Sequence, residues 1–162
     1  MNWLLSHGSQ KEPFSLLDVV MLGQCLSGAG EMETVTLLLV EDESLLLLEF
    51  EQALADAGFN IIAAAGGRDA LQILNAPPTP IQGLVTDIRL GAPPDGWDLA
   101  RGAREIDPQI PVVYVSGDSA RDWGSKGVPN SIMLEKPFAM AQLVTAISQL
   151  LNEISASPPS LS

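Results

Sequence analysis

Beyond Glu33 the chain repeats one alternation: a short apolar run, then a stretch with apolar residues at helical spacing. Val35–Val40 predicts a first strand, and Ser44–Ala57 a helix stopped by Gly58. Phe59–Ala64 predicts a second strand, with a turn at Gly66-Gly67. Asp69–Asn75 follows as a short helix closed by Pro77, Pro78 and Pro80. Ile81–Thr86 is the third expected strand, and the loop Gly91–Gly96 leads into a helix from Trp97 to Ile106, ended by Pro108. Pro111–Ser116 and Ser131–Glu135 predict strands four and five, flanking a short helix, Ala120–Lys126, that contains Gly124. The last expected helix is Phe138–Asn152, with Leu143, Val144, Ile147, Leu150 and Leu151 at helical spacing. Continuous apolar strands alternating with amphipathic helices imply an α/β fold, a (βα)5 doubly wound parallel sheet covered on both faces. The expected domain is residues 34–152. Residues 153–162, Ser/Pro-rich from Ser155, are an expected disordered tail.

Residues 1–33 read differently. Phe14–Leu26 is mostly apolar, and Phe14, Leu17, Met21 and Leu22 share a helical face. It is too short to span a bilayer, which takes about 20 apolar residues, and Asp18 interrupts it. A docking helix, a dimerisation segment and a true start at Met32 all remain open for this stretch.

Charge narrows the function classes. Twenty acids against eight basic residues give a formal charge of −12. Nucleic-acid binding depends on clustered Lys and Arg, and docking on anionic membranes needs the same. Neither partner is expected. One cysteine, Cys25, forms no internal disulfide, and with His7 as the only histidine a Cys/His zinc site is excluded. A reducing, cytoplasmic location is expected.

The candidate chemistry lies at the strand ends. The first apolar run stops at Glu41, Asp42 and Glu43. Crowded carboxylates repel each other and need a cation. The third strand ends in Asp87, the fourth contains Ser116 and the fifth leads to Lys136. In a doubly wound sheet of flavodoxin-like order 2-1-3-4-5, sites lie beyond the carboxyl ends of strands 1 and 3. Glu41, Asp42 and Asp87 would meet there, and hard carboxylate oxygens suit Mg²⁺. One carboxylate could then act as a nucleophile toward phosphorus. Lys136 and the Ser116 hydroxyl could neutralise the transferred group, and Gly117 allows close backbone approach.

LLLVEDES, LVTDIRL followed by DGWDLA, YVSG and EKPF resemble the receiver (phosphoacceptor) domain of two-component response regulators. The likeness runs from about Thr34 to Asn152 and is closest to stand-alone, single-domain receivers. It implies that Asp87 is the phosphorylated aspartate. It implies that Asp42 and Glu41 bind Mg²⁺ with Asp87 and the backbone carbonyl of Arg89. Ser116 would hydrogen-bond the phosphoryl group and move on activation, Lys136 would pair with it, and Pro137 would be cis. The phosphoryl donor would be a histidine kinase or a histidine phosphotransfer protein. Contacts would use strands 4–5 and the last helix. Two positions depart from the family pattern. Met133 stands where an aromatic switch residue is usual, and Gly91 where proline is usual, in a loop about one residue longer.

Plainer readings compete. Glu41 and Asp42 could cap the first helix, and Glu43 is expected to do only that. Ser116 before Gly117 is ordinary turn chemistry. Trp97 and Trp123 read as packing or partner-surface residues, and Arg101–Glu105 as a surface pair. Other functions compete too. A degenerate receiver that binds partners without phosphorylation is the main alternative. An aspartyl phosphatase of the haloacid dehalogenase type needs a second acid where Arg89 stands. A flavodoxin needs a Ser/Thr-rich phosphate loop where the acids stand.

Overall fold

The computed structural model describes residues 33–76 and 80–157. The expectations for His7, Cys25, the segment 14–26, Met32, Pro77, Pro78 and residues 158–162 of the tail lie outside the described residues.

Five parallel strands form one sheet in the order β2-β1-β3-β4-β5. They are β1 (Thr36–Val40), β2 (Asn60–Ala64), β3 (Gly83–Asp87), β4 (Val112–Ser116) and β5 (Ser131–Glu135). The helices are α1 (Ser44–Asp56), α2 (Gly67–Asn75), α3 (Gly96–Ile106), α4 (Trp123–Lys126, entered through a 3-10 turn, Ala120–Asp122) and α5 (Met140–Ala156). This is the doubly wound α/β sheet that the alternation predicts.

Strand side chains alternate between two cores. Leu37, Leu39, Val85, Val113 and Val115 pack with Phe50 and Leu54 of α1 and Leu143, Ile147 and Leu150 of α5. Leu38, Val40, Leu84, Val112 and Tyr114 face the other way, against Ala70 of α2 and Trp97, Leu99 and Ala103 of α3. Every residue of β3 and β4 is buried, which accounts for consecutive apolar residues such as Leu84-Val85 and Val112–Val115 facing both sides of the sheet.

Several boundaries differ from the periodicity. The second helix begins at Gly67, inside the expected turn, because Gly66 is already extended and its carbonyl accepts from Ala70 N. Asp87 belongs to β3, paired with Val115. The last helix starts two residues late: Phe138 stacks on Phe50 instead (centroids 5.6 Å apart), and Gln142 Oε1 accepts from Ala139 N at 2.9 Å. At its other end α5 runs on to Ala156, past the expected stop at Asn152, since nothing in Glu153–Ala156 breaks it. Arg101 does not pair with Glu105. Its guanidinium meets Asp98 at 2.7 Å and the Lys126 carbonyl at 3.3 Å, because Asp98 is fixed one turn earlier by the Asp95 cap. Among the described residues no helix is long and apolar enough to cross a membrane.

One polar contact inside the second core is testable. Tyr114 is fully buried and its hydroxyl accepts from the buried Val128 N–H at 3.1 Å. Tyr114→Phe strands that amide, so the expected loss is about 1–3 kcal/mol. Urea unfolding should show a lower midpoint with an unchanged slope.

Candidate functional site

The sheet register brings distant acids together. β1 lies between β2 and β3, so its carboxyl end, Glu41-Asp42, stands beside Asp87 at the end of β3. One carboxylate oxygen from each of Glu41, Asp42 and Asp87 lies within 4.8 Å of the other two. Lys136 arrives from the end of β5. Its Nζ is 2.9 Å from Asp87 Oδ2 and 3.2 Å from Glu41 Oε1. Glu41, Asp87 and Lys136 each stand two residues beyond a side chain of the α1/α5 core, namely Leu39, Val85 and Leu134. The same alternation that buries those three aims the charged residues to one side of the sheet edge.

Burial and charge set the electrostatics. The Glu41 side chain is 1% exposed. Burial, then the neighbouring Asp87 charge, push its carboxyl up to about 7, and the Glu43 N–H and Lys136 offset only part of this. Burial alone would lower the Lys136 ammonium. Its hydrogen bond to Asp87 and the charges of Asp87 and Glu41 outweigh that and raise it. Asp42 is the exposed member of the set. Both Asp87 oxygens are engaged: Oδ2 by Lys136, and Oδ1 by the Arg89 N–H at 3.2 Å.

The helix-cap expectation for Glu43 is corrected. Glu43 occupies the N-cap of α1 but its side chain makes no cap hydrogen bond. Glu41 Oε2 instead accepts Glu43's own N–H at 3.2 Å.

Ser116 is buried at the end of β4, and among the described residues no hydrogen bond joins it to Asp87. It stands two residues beyond Tyr114, in the row of the α2/α3 core. Its Oγ accepts from Ser119 N at 2.7 Å and Asp118 N at 3.2 Å. Its backbone carbonyl accepts from Lys136 N at 2.8 Å, which ties β4 to the lysine. Met133 is half-buried opposite Tyr114, which packs on Trp97 with centroids 4.8 Å apart. The Lys136–Pro137 peptide is cis, as is Pro93–Pro94.

The loop from β3 to α3 closes tightly. Asp95 caps α3, its Oδ1 accepting from Asp98 N at 2.9 Å, and Asp98 returns the bond to Asp95 N. A Cβ at Gly96 would overlap the Asp87 carbonyl, so only glycine lets the loop return this close. Gly91 has φ 83°, which proline cannot adopt, and this explains the departure at that position.

One site-flanking residue escapes sequence reasoning. Asp118 pairs with Arg89 at 2.9 Å, bridging the loops after β4 and β3 beside Asp87. Its position two residues past Ser116, matching Arg89 two past Asp87, was the available signal. Both side chains are more than half exposed, so the bridge contributes at most about 1 kcal/mol.

Residues 37–148 match the family model of the response regulator receiver domain. The response regulator receiver protein CpdR of Brucella abortus is 32% identical over 117 residues, 71% of this chain and 95% of CpdR. The sensor kinase CckA of the same organism is 32% identical over 123 residues, 74% of this chain but 13% of the kinase. A crystal structure of a response regulator receiver protein from Sinorhizobium medicae is 56% identical, with a TM-score of 0.73, covering 75% of this chain and 98% of that one. The chain belongs to the response regulator receiver domain family of two-component systems.

Proposed function

We propose that the protein accepts a phosphoryl group on Asp87 and passes the signal on by protein contact. The observation that carries this reading is the Asp87 carboxylate, held 2.9 Å from Lys136 inside an acidic set short of positive charge. The donor is a phosphohistidine on a kinase or a histidine phosphotransfer protein, and the location is cytoplasmic. CpdR, matched along 95% of its length, is itself named a response regulator receiver protein, and this likeness supports the reading.

The residues present fit Mg²⁺. Three carboxylate oxygens lie within 4.8 Å of one another, hard donors of the kind Mg²⁺ takes. Lys136 already stands among two of them as a partial counter-ion. Glu41, Asp42, Asp87 and the Arg89 carbonyl would hold the ion. When bound, it supplies neutralisation of the carboxylates and of the phosphoryl oxygens.

An Asp87 oxygen attacks the phosphorus of the phosphohistidine. A P–O bond forms, the P–N bond breaks, and the imidazole leaves with its electron pair. Lys136 follows the charge outward from the carboxylate to the phosphoryl oxygens. The Ser116 hydroxyl accepts two amide hydrogens in the resting state, which leaves its own proton to donate to a phosphoryl oxygen. Water attacking the phosphorus later releases inorganic phosphate and restores the carboxylate.

Intact mass after incubation with acetyl phosphate and Mg²⁺ tests the reading. Wild type should gain one phosphoryl group, and should gain none in EDTA or as Asp87→Ala. Equal labelling of Asp87→Ala would move the nucleophile elsewhere. An unlabelled wild type would favour a receiver that binds partners without phosphorylation.

Two stability measurements follow from the charge crowding. Lys136→Met leaves Glu41 and Asp87 without their cation. In EDTA it should lose roughly 1–3 kcal/mol, and MgCl2 should restore most of that. For pH, Glu41 releases its proton near 4.5 when unfolded and near 7 when folded. The unfolded state therefore deprotonates first, and this contribution, complete below about 4.5, is lost as pH rises through about 7. The metal-free urea midpoint should fall across that window. The fall should flatten in Glu41→Gln, and persistence of the full slope there would contradict the assignment.

A further inference from the structure

The β3–α3 loop does more than return the chain to α3. It crosses the end of β1 and leans on the start of α2. Residue by residue, Arg89 N–H holds Asp87 Oδ1, and Gly91 lies beside Asp42, whose Oδ2 would be 3.8 Å from a Cβ there. Pro94 then lies directly against Gly67. A Cβ on Gly67 would overlap the Pro94 carbonyl oxygen, come within 3.0 Å of its carbon and within 3.1 Å of Cγ. Gly67 is buried and opens α2. Its neighbour Gly66 is unlike it: extended at φ −162°, with nothing within 4 Å of a Cβ.

We propose that Gly67 is a positioning residue of the acidic site, the stop against which the β3–α3 loop rests and which sets how far that loop stands above Asp42 and Asp87. This rests on the Mg²⁺-binding reading above.

The physical reason is that both sides of the contact are backbone. A flexible side chain could swing away from an added methyl, but a carbonyl within a closed loop cannot. At its other end the loop is pinned, since Gly96 N donates to Ile88 O at 2.8 Å and a Cβ on Gly96 would overlap the Asp87 carbonyl. On the loop side, relief at Gly67 is therefore taken up between Arg89 and Pro94. That stretch carries the Arg89 carbonyl and the backbone beside Asp42. Second-layer contacts of this kind tune metal affinity by about 10–100-fold.

The test is a MgCl2 titration of the full chain read by tryptophan fluorescence, with thermal unfolding in EDTA measured in parallel. Gly67→Ala should weaken Mg²⁺ by about tenfold or more, and Gly66→Ala should bind as wild type does. A purely structural role for Gly67 would lower the EDTA melting temperature and leave the Mg²⁺ affinity unchanged, and that result overturns the proposal. If Gly67→Ala does not fold by circular dichroism, Pro94→Gly carries the test. Slackening the loop against the same stop should weaken Mg²⁺ with little change in EDTA melting, and an unchanged affinity overturns the proposal. A wild type that binds no Mg²⁺ would instead sink the metal reading on which it rests.

Discussion

Strand pairing crowds three carboxylates at one sheet edge. β1 and β3 are paired along their length, so Glu41, Asp42 and Asp87 are as close as the backbone makes them. Two like charges at about 4 Å repel by roughly 4 kcal/mol at an effective dielectric near 20. That is a large share of the 5–15 kcal/mol that holds an ordinary domain folded. Lys136 relieves the repulsion only in part, and the Glu41 carboxyl stands raised, first by its burial and then by the Asp87 charge. Much of the remaining architecture serves to keep this unfavourable cluster in place. The apolar strands, buried on both faces, supply the stability that the cluster spends.

The site is held from beneath by backbone rather than by side chains. Glu41 N donates to Ala64 O, Ile88 N to Val115 O, and Lys136 N to Ser116 O. Each bond crosses from one strand end to the next, so the polar residues sit on a continuous ladder extending the sheet. From above, the β3–α3 loop closes over the same edge between Gly96 and Gly67. The acids thus lie between a rigid floor and a loop with fixed ends. Such an arrangement gives a cation little freedom to rearrange its ligands, which suits an ion with strict geometry.

Most of the fold was legible because each strand is built around a short apolar run and the first three helices have their stops: Gly58, Pro80 and Pro108. The site was legible because its residues fall at strand ends, where topology alone brings them together. What could not be read depends on side-chain direction or close approach. Glu43 looks like a cap, yet Glu41 takes the amide. Ser116 looks like a partner of Asp87, yet it starts from the other core's row and is held by Asp118 N and Ser119 N. Gly66 and Gly67 look equivalent in sequence, and only the position of Pro94 distinguishes them. The extent of α5 was missed because Ser155 reads as tail, whereas its hydroxyl donates to Leu151 O inside the helix.

The position of Ser116 bears on how a phosphoryl group would be sensed in a chain with Met133 in place of an aromatic. For its hydroxyl to turn toward Asp87, the two amides it now accepts must lose or share their acceptor. Those amides open the 3-10 turn, where Asp122 N donates to Ser119 O, and the turn leads straight into α4. α4 has four residues, and its Trp123 is tied to the sheet by one hydrogen bond, Nε1 to Ser131 Oγ at 2.9 Å. Tyr114, by contrast, is fully buried against Trp97 and has no room to swing. The segment from Gly117 to Gly127 is tied to its surroundings by polar contacts at or near the surface, Asp118 to Arg89, the Lys126 carbonyl to Arg101 and Trp123 to Ser131. A rearrangement begun at Ser116 costs least if it is taken up there rather than in the core.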